Sequence, residues 1–119
     1  PDLANPVNKI FVQDYRKKYG RYPTFYAAQS YDTIMLIDSA VRAVNGNLSD
    51  KDGMRSAMRR AAFASVRGSF KYGKNHFPIQ NFYLRKVVKD SDGNYTTSIE
   101  KTVYTNHQDT YAKDCKMSW

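Results

Sequence analysis

The sequence predicts an α/β chain in which helices come first and strands follow. Three observations carry that reading. Apolar residues recur at spacings of three and four over residues 7–15 and again over 25–44, as the buried face of a helix requires. A β-branched and aromatic run occupies residues 79–89. The turn-forming stretch Asp90-Ser91-Asp92-Gly93-Asn94 then returns the chain into a second such run at residues 95–104, which makes a hairpin. Helices outweigh strands.

The first helix has a marked start and end. Asn5 is placed to accept from the open amides of the first turn, and Pro6 sits where a missing N–H costs nothing. Val7, Ile10, Phe11 and Tyr15 form its apolar stripe. Lys17 and Lys18 lie at the negative end of the helix dipole, and Gly20 ends the helix near Tyr19. Pro23 turns the preceding residue away from helical angles, so a second helix starts with Thr24 as its cap and runs to about Val44, closed by Asn45-Gly46. Ile34, Met35, Ile37 and Val41 surround it with apolar groups and predict burial on more than one side. A third helix is expected after Ser49, which with Asp52 makes a variant of the capping box, and extends to about Phe63. Residues 66–72 read as a short strand, and residues 108–115 as a last helical turn or two.

These words occur in a telling order. Tyr15-Arg16-Lys17-Lys18-Tyr19-Gly20 is followed by Pro23-Thr24-Phe25-Tyr26-Ala27-Ala28-Gln29-Ser30-Tyr31-Asp32, then by Val66-Arg67-Gly68-Ser69-Phe70 and by the run from His76 to Arg85. The sequence resembles in this the C-terminal part of the solute-binding proteins of ABC importers, the branched-chain amino-acid type with the type I periplasmic-binding fold. The aromatic at Phe70 arrives earlier than in the family's pattern. The resemblance spans residues 5–117 and implies part of a two-lobe α/β fold, incomplete as a stand-alone domain. It implies a division in which residues 1–22 give a helix to one lobe, residues 23–89 give helices and strands to the other, and residues 90–119 form a return strand and tail. The backbone then crosses between lobes near residues 21–24.

Composition bounds the alternatives. The chain has 119 residues, 41% of them hydrophobic, and a formal net charge of +8. No apolar run reaches the roughly 20 residues of a membrane helix. Its first residues, Pro1-Asp2-Leu3-Ala4, are no secretory signal, and the resemblance implies that an export signal and an N-terminal portion lie upstream. The positive charge alone is compatible with nucleic acid, but acidic residues interrupt both cationic groups, Arg16, Lys17, Lys18, Arg21 and Arg55, Arg59, Arg60, and no nucleic-acid motif accompanies them. No nucleic-acid partner is expected.

Nothing in the chain points to catalysis. Paired carboxylates, a nucleophile with its base, a phosphate loop and a metal cluster are all missing from the sequence pattern, so neither a cofactor nor a metal is expected. The acidic turn at residues 90–94 has the start of a calcium loop, but Lys101 stands where the twelfth-position ligand belongs. His76 and His107 are too far apart in sequence to form a ligand pair by spacing. The sequons at Asn47 and Asn94 coincide with a cap and a turn that account for those residues. Cys115 is the single cysteine, so a disulfide would need a partner in another stretch of sequence.

The resemblance implies binding rather than chemistry. A small solute, an amino acid or an aromatic or other small carboxylate, is held between two lobes in the periplasm or outside the cell and handed to ABC permease subunits. A ligand-sensing receptor or regulatory module of the same fold is the alternative. Within this stretch the expected ligand residues are Tyr26 and Gln29, with Phe25 for stacking, because they open the second helix, where amides and a positive dipole end face an anion. The remaining partner is the N-terminal portion of the same protein, or a second copy paired with this one, since these pieces cannot bury their apolar faces alone.

Overall fold

The structure, a computed structural model, describes residues 2–117. Three helices, α1 (Pro6–Tyr19), α2 (Phe25–Ala43) and α3 (Lys51–Arg60), precede a sheet of β1 (Lys71–Tyr72), β2 (Pro78–Lys89) and β3 (Tyr95–His107); a 3-10 turn, Ala112–Asp114, follows. The strands are antiparallel in the order β1-β2-β3.

The helix ends follow local chemistry. The Asn5 side chain accepts from the Asn8 amide at 2.7 Å, and Gly20, at φ +67°, closes α1 by donating its N–H to the Arg16 carbonyl. Thr24 Oγ1 caps α2 by accepting from the Ala27 amide. That helix ends at Ala43, one residue short of expectation, and Asn45 and Gly46 then take the left-handed backbone that reverses the chain.

Two expectations for α3 are corrected. Asp50, not Ser49, is the cap, its carboxylate accepting from the Gly53 amide at 2.9 Å. A cap needs only an acceptor three residues before an open amide, and Asp50 supplies one with a full charge against the helix dipole. The helix also stops at Arg60 rather than Phe63, because Ala61 turns left-handed at φ +46°. The strand expected over residues 66–72 shrinks to Lys71–Tyr72, since its first residues are drawn into a polar knot. β3, in contrast, runs three residues past Tyr104, because Gln80 pairs with His107.

That knot centres on Asp32, which is 2% exposed. Its carboxylate accepts from the Ser65 hydroxyl at 2.6 Å, the Val66 amide at 3.0 Å and the Arg67 guanidinium at 2.7 Å. Arg67 in turn donates to Gln80 Oε1 at the start of β2 and lies over the Phe70 ring. Asn5 completes the assembly from α1, donating through Nδ2 to the Val66 carbonyl at 3.1 Å. One buried carboxylate thus ties α2, the 65–67 turn and β2 together, and both main-chain groups of Val66 are satisfied by side chains of the two leading helices. Phe11 adds an apolar contact between those helices, its ring 5.0 Å from that of Tyr31.

Packing elsewhere is thin. Among the described residues the buried apolar side chains are Ala40, Ala57, Val66 and Ala112, whereas Ile10, Phe25, Tyr26, Ile34, Ile37, Val87 and Tyr104 are exposed. The expectation that α2 is buried on more than one side is therefore not met within this chain: Ile34 is 64% exposed. The accessible surface is 8572 Å² and the Cα radius of gyration 16.7 Å. A compact monomer of this mass exposes about 6,600 Å², and one of this length has a radius near 13.5 Å. The apolar surface is not enclosed by these residues.

Candidate ligand-binding site

The start of α2 presents the three residues that the sequence singles out. Spacings of three and four along a helix put Tyr26 and Phe25 on the same side as Gln29. Phe25 is 66% and Tyr26 79% exposed, and their rings meet edge to face at 6.0 Å. Gln29 is half-buried. The Thr24 hydroxyl and carbonyl hold the amides of Ala27 and Ala28, which fixes the direction of the first turn and its positive dipole end. Two exposed rings and a half-buried amide side chain thus stand at the start of α2.

The described residues do not close a cavity around them. A hollow of about 340 Å³ lies between α2, α3 and β1, lined by Leu36, Arg55, Met58, Arg59, Tyr72 and His76, and another of about 320 Å³ lies beside the start of α1. Neither contains Phe25, Tyr26 or Gln29. Among the described residues no three of His, Cys, Asp and Glu gather as metal ligands, and no helix is long and apolar enough to cross a membrane. His107 is occupied by aromatic contacts with Phe82 and Tyr104. Cys115 is half-buried and free.

A second polar cluster, not foreseen from the sequence, adjoins the joint before α2. The Tyr22 hydroxyl donates to Asp90 Oδ2 at 3.0 Å and accepts from Arg16 Nη1 at 3.0 Å. The Arg16 guanidinium also lies 3.4 Å from Asp92 and 3.8 Å from Asp90. Asp90 organises the hairpin turn as well, accepting from the amides of Asp92 and Asn94. The acidic turn is therefore turn chemistry that has gained a partner on α1. Its only sequence signal was a set of opposite charges far apart along the chain.

Both ionisable ends of this cluster are perturbed. Desolvation pulls the Asp90 carboxyl upward, but hydrogen bonds from the Asn94 amide, the Tyr22 hydroxyl, the Asn94 side chain and the Asp92 amide favour its charged form and bring it below the ordinary value. Burial first, then the hydrogen bond to Asp90, raises the Tyr22 phenol, against the lowering effect of Arg16. A lowered carboxyl contributes stability above its unfolded pKa that is lost as pH falls through the folded value. A raised phenol contributes stability below its unfolded pKa that is lost as pH rises through the folded value. The turn should therefore hold between about pH 4 and pH 10 and loosen on either side. Amide exchange or chemical shifts at Asn94, followed with pH, check this: the Tyr22→Phe variant should lose the alkaline limb and keep the acid one.

Comparison with known proteins agrees with this architecture. Residues 1–94 match the family model described as periplasmic binding protein. None of the curated proteins matches the chain. Among solved structures, a solute-binding protein of an ABC transporter from R. palustris, in complex with benzoate, is 34% identical with a TM-score of 0.82, over 98% of this chain and 31% of its own. An ABC transporter substrate-binding protein from Sphaerobacter thermophilus is 20% identical with a TM-score of 0.77, over 87% of this chain and 29% of its own. An ABC transporter structure from Rhodopseudomonas palustris is 25% identical with a TM-score of 0.57, over 72% of this chain and 26% of its own. The 119 residues thus span about three-tenths of the length of these solved proteins and form part of a type I periplasmic-binding fold, helices with a long hairpin, rather than a whole one. The chain belongs to the periplasmic binding protein family, among the solute-binding proteins of ABC transporters.

Proposed function

We propose that the protein containing this chain binds a small aromatic carboxylate between two lobes in the periplasm and delivers it to ABC permease subunits, without catalysing a reaction. The observation that carries this reading is the likeness to the benzoate-bound solute-binding protein, 34% identical over 98% of the chain. The start of α2 supports it. Tyr26 and Phe25 offer ring faces and edges to a benzene ring, while the Gln29 amide and the helix dipole favour its carboxylate. An amino acid would also need an acceptor for its ammonium, and the carboxylate nearest along α2, Asp32, is committed to Ser65, Val66 and Arg67. Within this stretch the chemistry therefore favours the aromatic acid.

Closure needs the chain to belong to two bodies. The resemblance implies a crossing near residues 21–24, and the contacts favour a second one along β2. Asp32 on α2 holds Ser65, Val66 and Arg67, and α3 packs on α2, which favours α2, α3 and the 65–67 turn moving together, with Asn5 and Phe11 touching this body at Val66 and Tyr31. β2 leaves that body at Gln80 and continues through register irregularities between Gln80 and Arg85 towards the turn at residues 90–94. Local bends in a strand pair are natural sites for hinge motion. The exposed apolar faces of α2 and of the hairpin are covered, in this reading, by the rest of the fold, with a second copy as the substitute.

The test is a titration of benzoate and of branched-chain amino acids against the protein at its natural length, read by calorimetry and thermal shift. Benzoate at 100 times its Kd should stabilise by about 2.7 kcal/mol. Tyr26→Ala should weaken binding about tenfold through lost ring contact. Stabilisation by leucine and none by benzoate would reverse the ligand assignment.

A further inference from the structure

Two sets of ties divide the described residues. Asp32 on α2 holds Ser65, Val66 and Arg67, Arg67 reaches Gln80, and α3 packs on α2. α1 belongs with the hairpin instead. Ahead of this helix, the Asp2 carboxylate meets the Arg85 guanidinium on β2 and the Ile99 amide on β3. At its far end, Arg16 and Tyr22 meet Asp90 and Asp92 in the hairpin turn. Asn8, 5% exposed, donates to the Leu3 carbonyl at 2.9 Å and stiffens the lead into the helix. From this body two side chains of the α1 region reach the other one: Asn5 Nδ2 donates to the Val66 carbonyl at 3.1 Å, and the Phe11 ring lies 5.0 Å from that of Tyr31, tilted by 50°. Beside these contacts the bodies stand apart, across the hollow of about 320 Å³ between Asn5, Pro6 and Val7 and the 61–70 stretch.

We propose that Asn5 and Phe11 are positioning residues for ligand binding, a clasp that forms on Val66 and Tyr31 when the two lobes close and that slows release of the ligand. The Asn5 amide is divided between the bodies. Its Oδ1 accepts from the Asn8 amide at 2.7 Å and caps α1, while its Nδ2 donates to Val66, whose own amide the Asp32 carboxylate holds from the other side. An aspartate in its place would still cap the helix, but it could only accept, and two acceptors would then face each other across the boundary. A neutral hydrogen bond and a ring contact suit a joint that reopens. Asn5, Phe11 and Tyr31 are half-buried and regain water when they part, whereas Asp32 and Val66 are buried and stay fixed as the receiving surface. Tyr31 also stands on the helix that carries the candidate ligand residues, about 7.5 Å along the axis from Tyr26. A contact at Tyr31 therefore bears on the angle at which the first turn of α2 meets the opposite lobe. Swinging about the joint at residues 21–24 and the irregular part of β2 breaks it.

This inference rests on the two-lobe, aromatic-carboxylate reading above, and the experiment separates their failures. In the protein at its natural length, Asn5→Asp keeps the α1 cap and removes the donor to Val66, and Phe11→Leu keeps an apolar side chain and removes the ring. Benzoate should leave Asn5→Asp about twofold to tenfold faster than the parent in stopped flow, the range of one hydrogen bond. Phe11→Leu should speed release by a similar factor, the range of one ring pair. Spin labels at Ala43→Cys on α2 and Ser91→Cys in the hairpin turn, in a Cys115→Ser background, report the separation of the bodies with and without benzoate. Each variant should lower the ratio of near to far populations by the factor seen in release, with the helix content of the parent retained in Asn5→Asp. Unchanged release and unchanged distances in both variants, with benzoate bound as in the parent, overturn the clasp and leave the ligand reading standing. Slower release, or a higher near-to-far ratio, puts the contact in the open form and overturns the clasp as well. A lowered ratio in the variants of a protein that does not bind benzoate keeps the clasp and overturns the ligand reading.

Discussion

Replacing Asp32 with alanine should destabilise the folded protein by about 3 to 5 kcal/mol, the largest effect expected of a single substitution here. Removing this carboxylate orphans three donors at once: the Ser65 hydroxyl, the Val66 amide and the Arg67 guanidinium. Ser65 and Val66 are buried, so neither donor regains water when its acceptor is lost. Arg67 is different, with a side chain 17% exposed and a remaining bond to Gln80, and its partial access to water places the loss towards the lower end of the range. Asp32→Asn should cost less than the alanine change, because an amide oxygen still accepts from one donor while its NH₂ group opposes the rest. Denaturant unfolding of the protein at its natural length measures both. A loss below about 1 kcal/mol for Asp32→Ala would mean that the knot does not carry the packing of α2 on the 65–67 turn.

The same residue shows where reading the sequence stops. Elements governed by near neighbours were legible: Asn5 and Pro6 opened α1, Gly20 closed it, Thr24 capped α2, and the acidic turn joined two strands. Asp32 stood in the family-like Tyr31-Asp32 pair, but its partners lie more than thirty residues away, and no local rule links a helical aspartate to a distant Ser-Val-Arg turn. Shortening of the strand expected over residues 66–72 follows from that omission, since the amide of Val66 is spent on Asp32 instead of a ladder. The α3 cap was missed differently. A capping-box offset from Ser49 to Asp52 drew attention from Asp50, whose own offset of three leads to the bare amide of Gly53. For the candidate site, Phe25, Tyr26 and Gln29 were singled out by their place at a helix start alone, while the cluster of Arg16, Tyr22, Asp90 and Asp92 needed three dimensions to be seen.

Expressed by itself, the 119-residue chain should fail to persist as a well-folded monomer of 13.7 kDa and should instead self-associate. Its surface of 8572 Å² exceeds the area expected for a compact monomer by about 2,000 Å². An excess of that size equals a standard protein interface, and much of it is apolar: Ile34 and Ile37 on α2, Val87 on β2 and Val103 and Tyr104 on β3 are open. The helical part has polar ties but few buried side chains of any volume, Val66 being the largest fully enclosed one among the described residues. Ordering a backbone residue costs about 1 to 2 kcal/mol, which small buried alanines offset poorly. β3 adds a second route, for an edge strand of 13 residues presents main-chain groups that another copy can pair with. Sedimentation or light scattering over a concentration series decides the matter, together with the dispersion of amide resonances. A sharp monomer at all concentrations, with resolved resonances and a cooperative melt, would mean that the open faces need no cover. Co-expression with the remaining stretch of the protein should rescue a soluble complex of one copy each, because the same faces then meet the surfaces they fit.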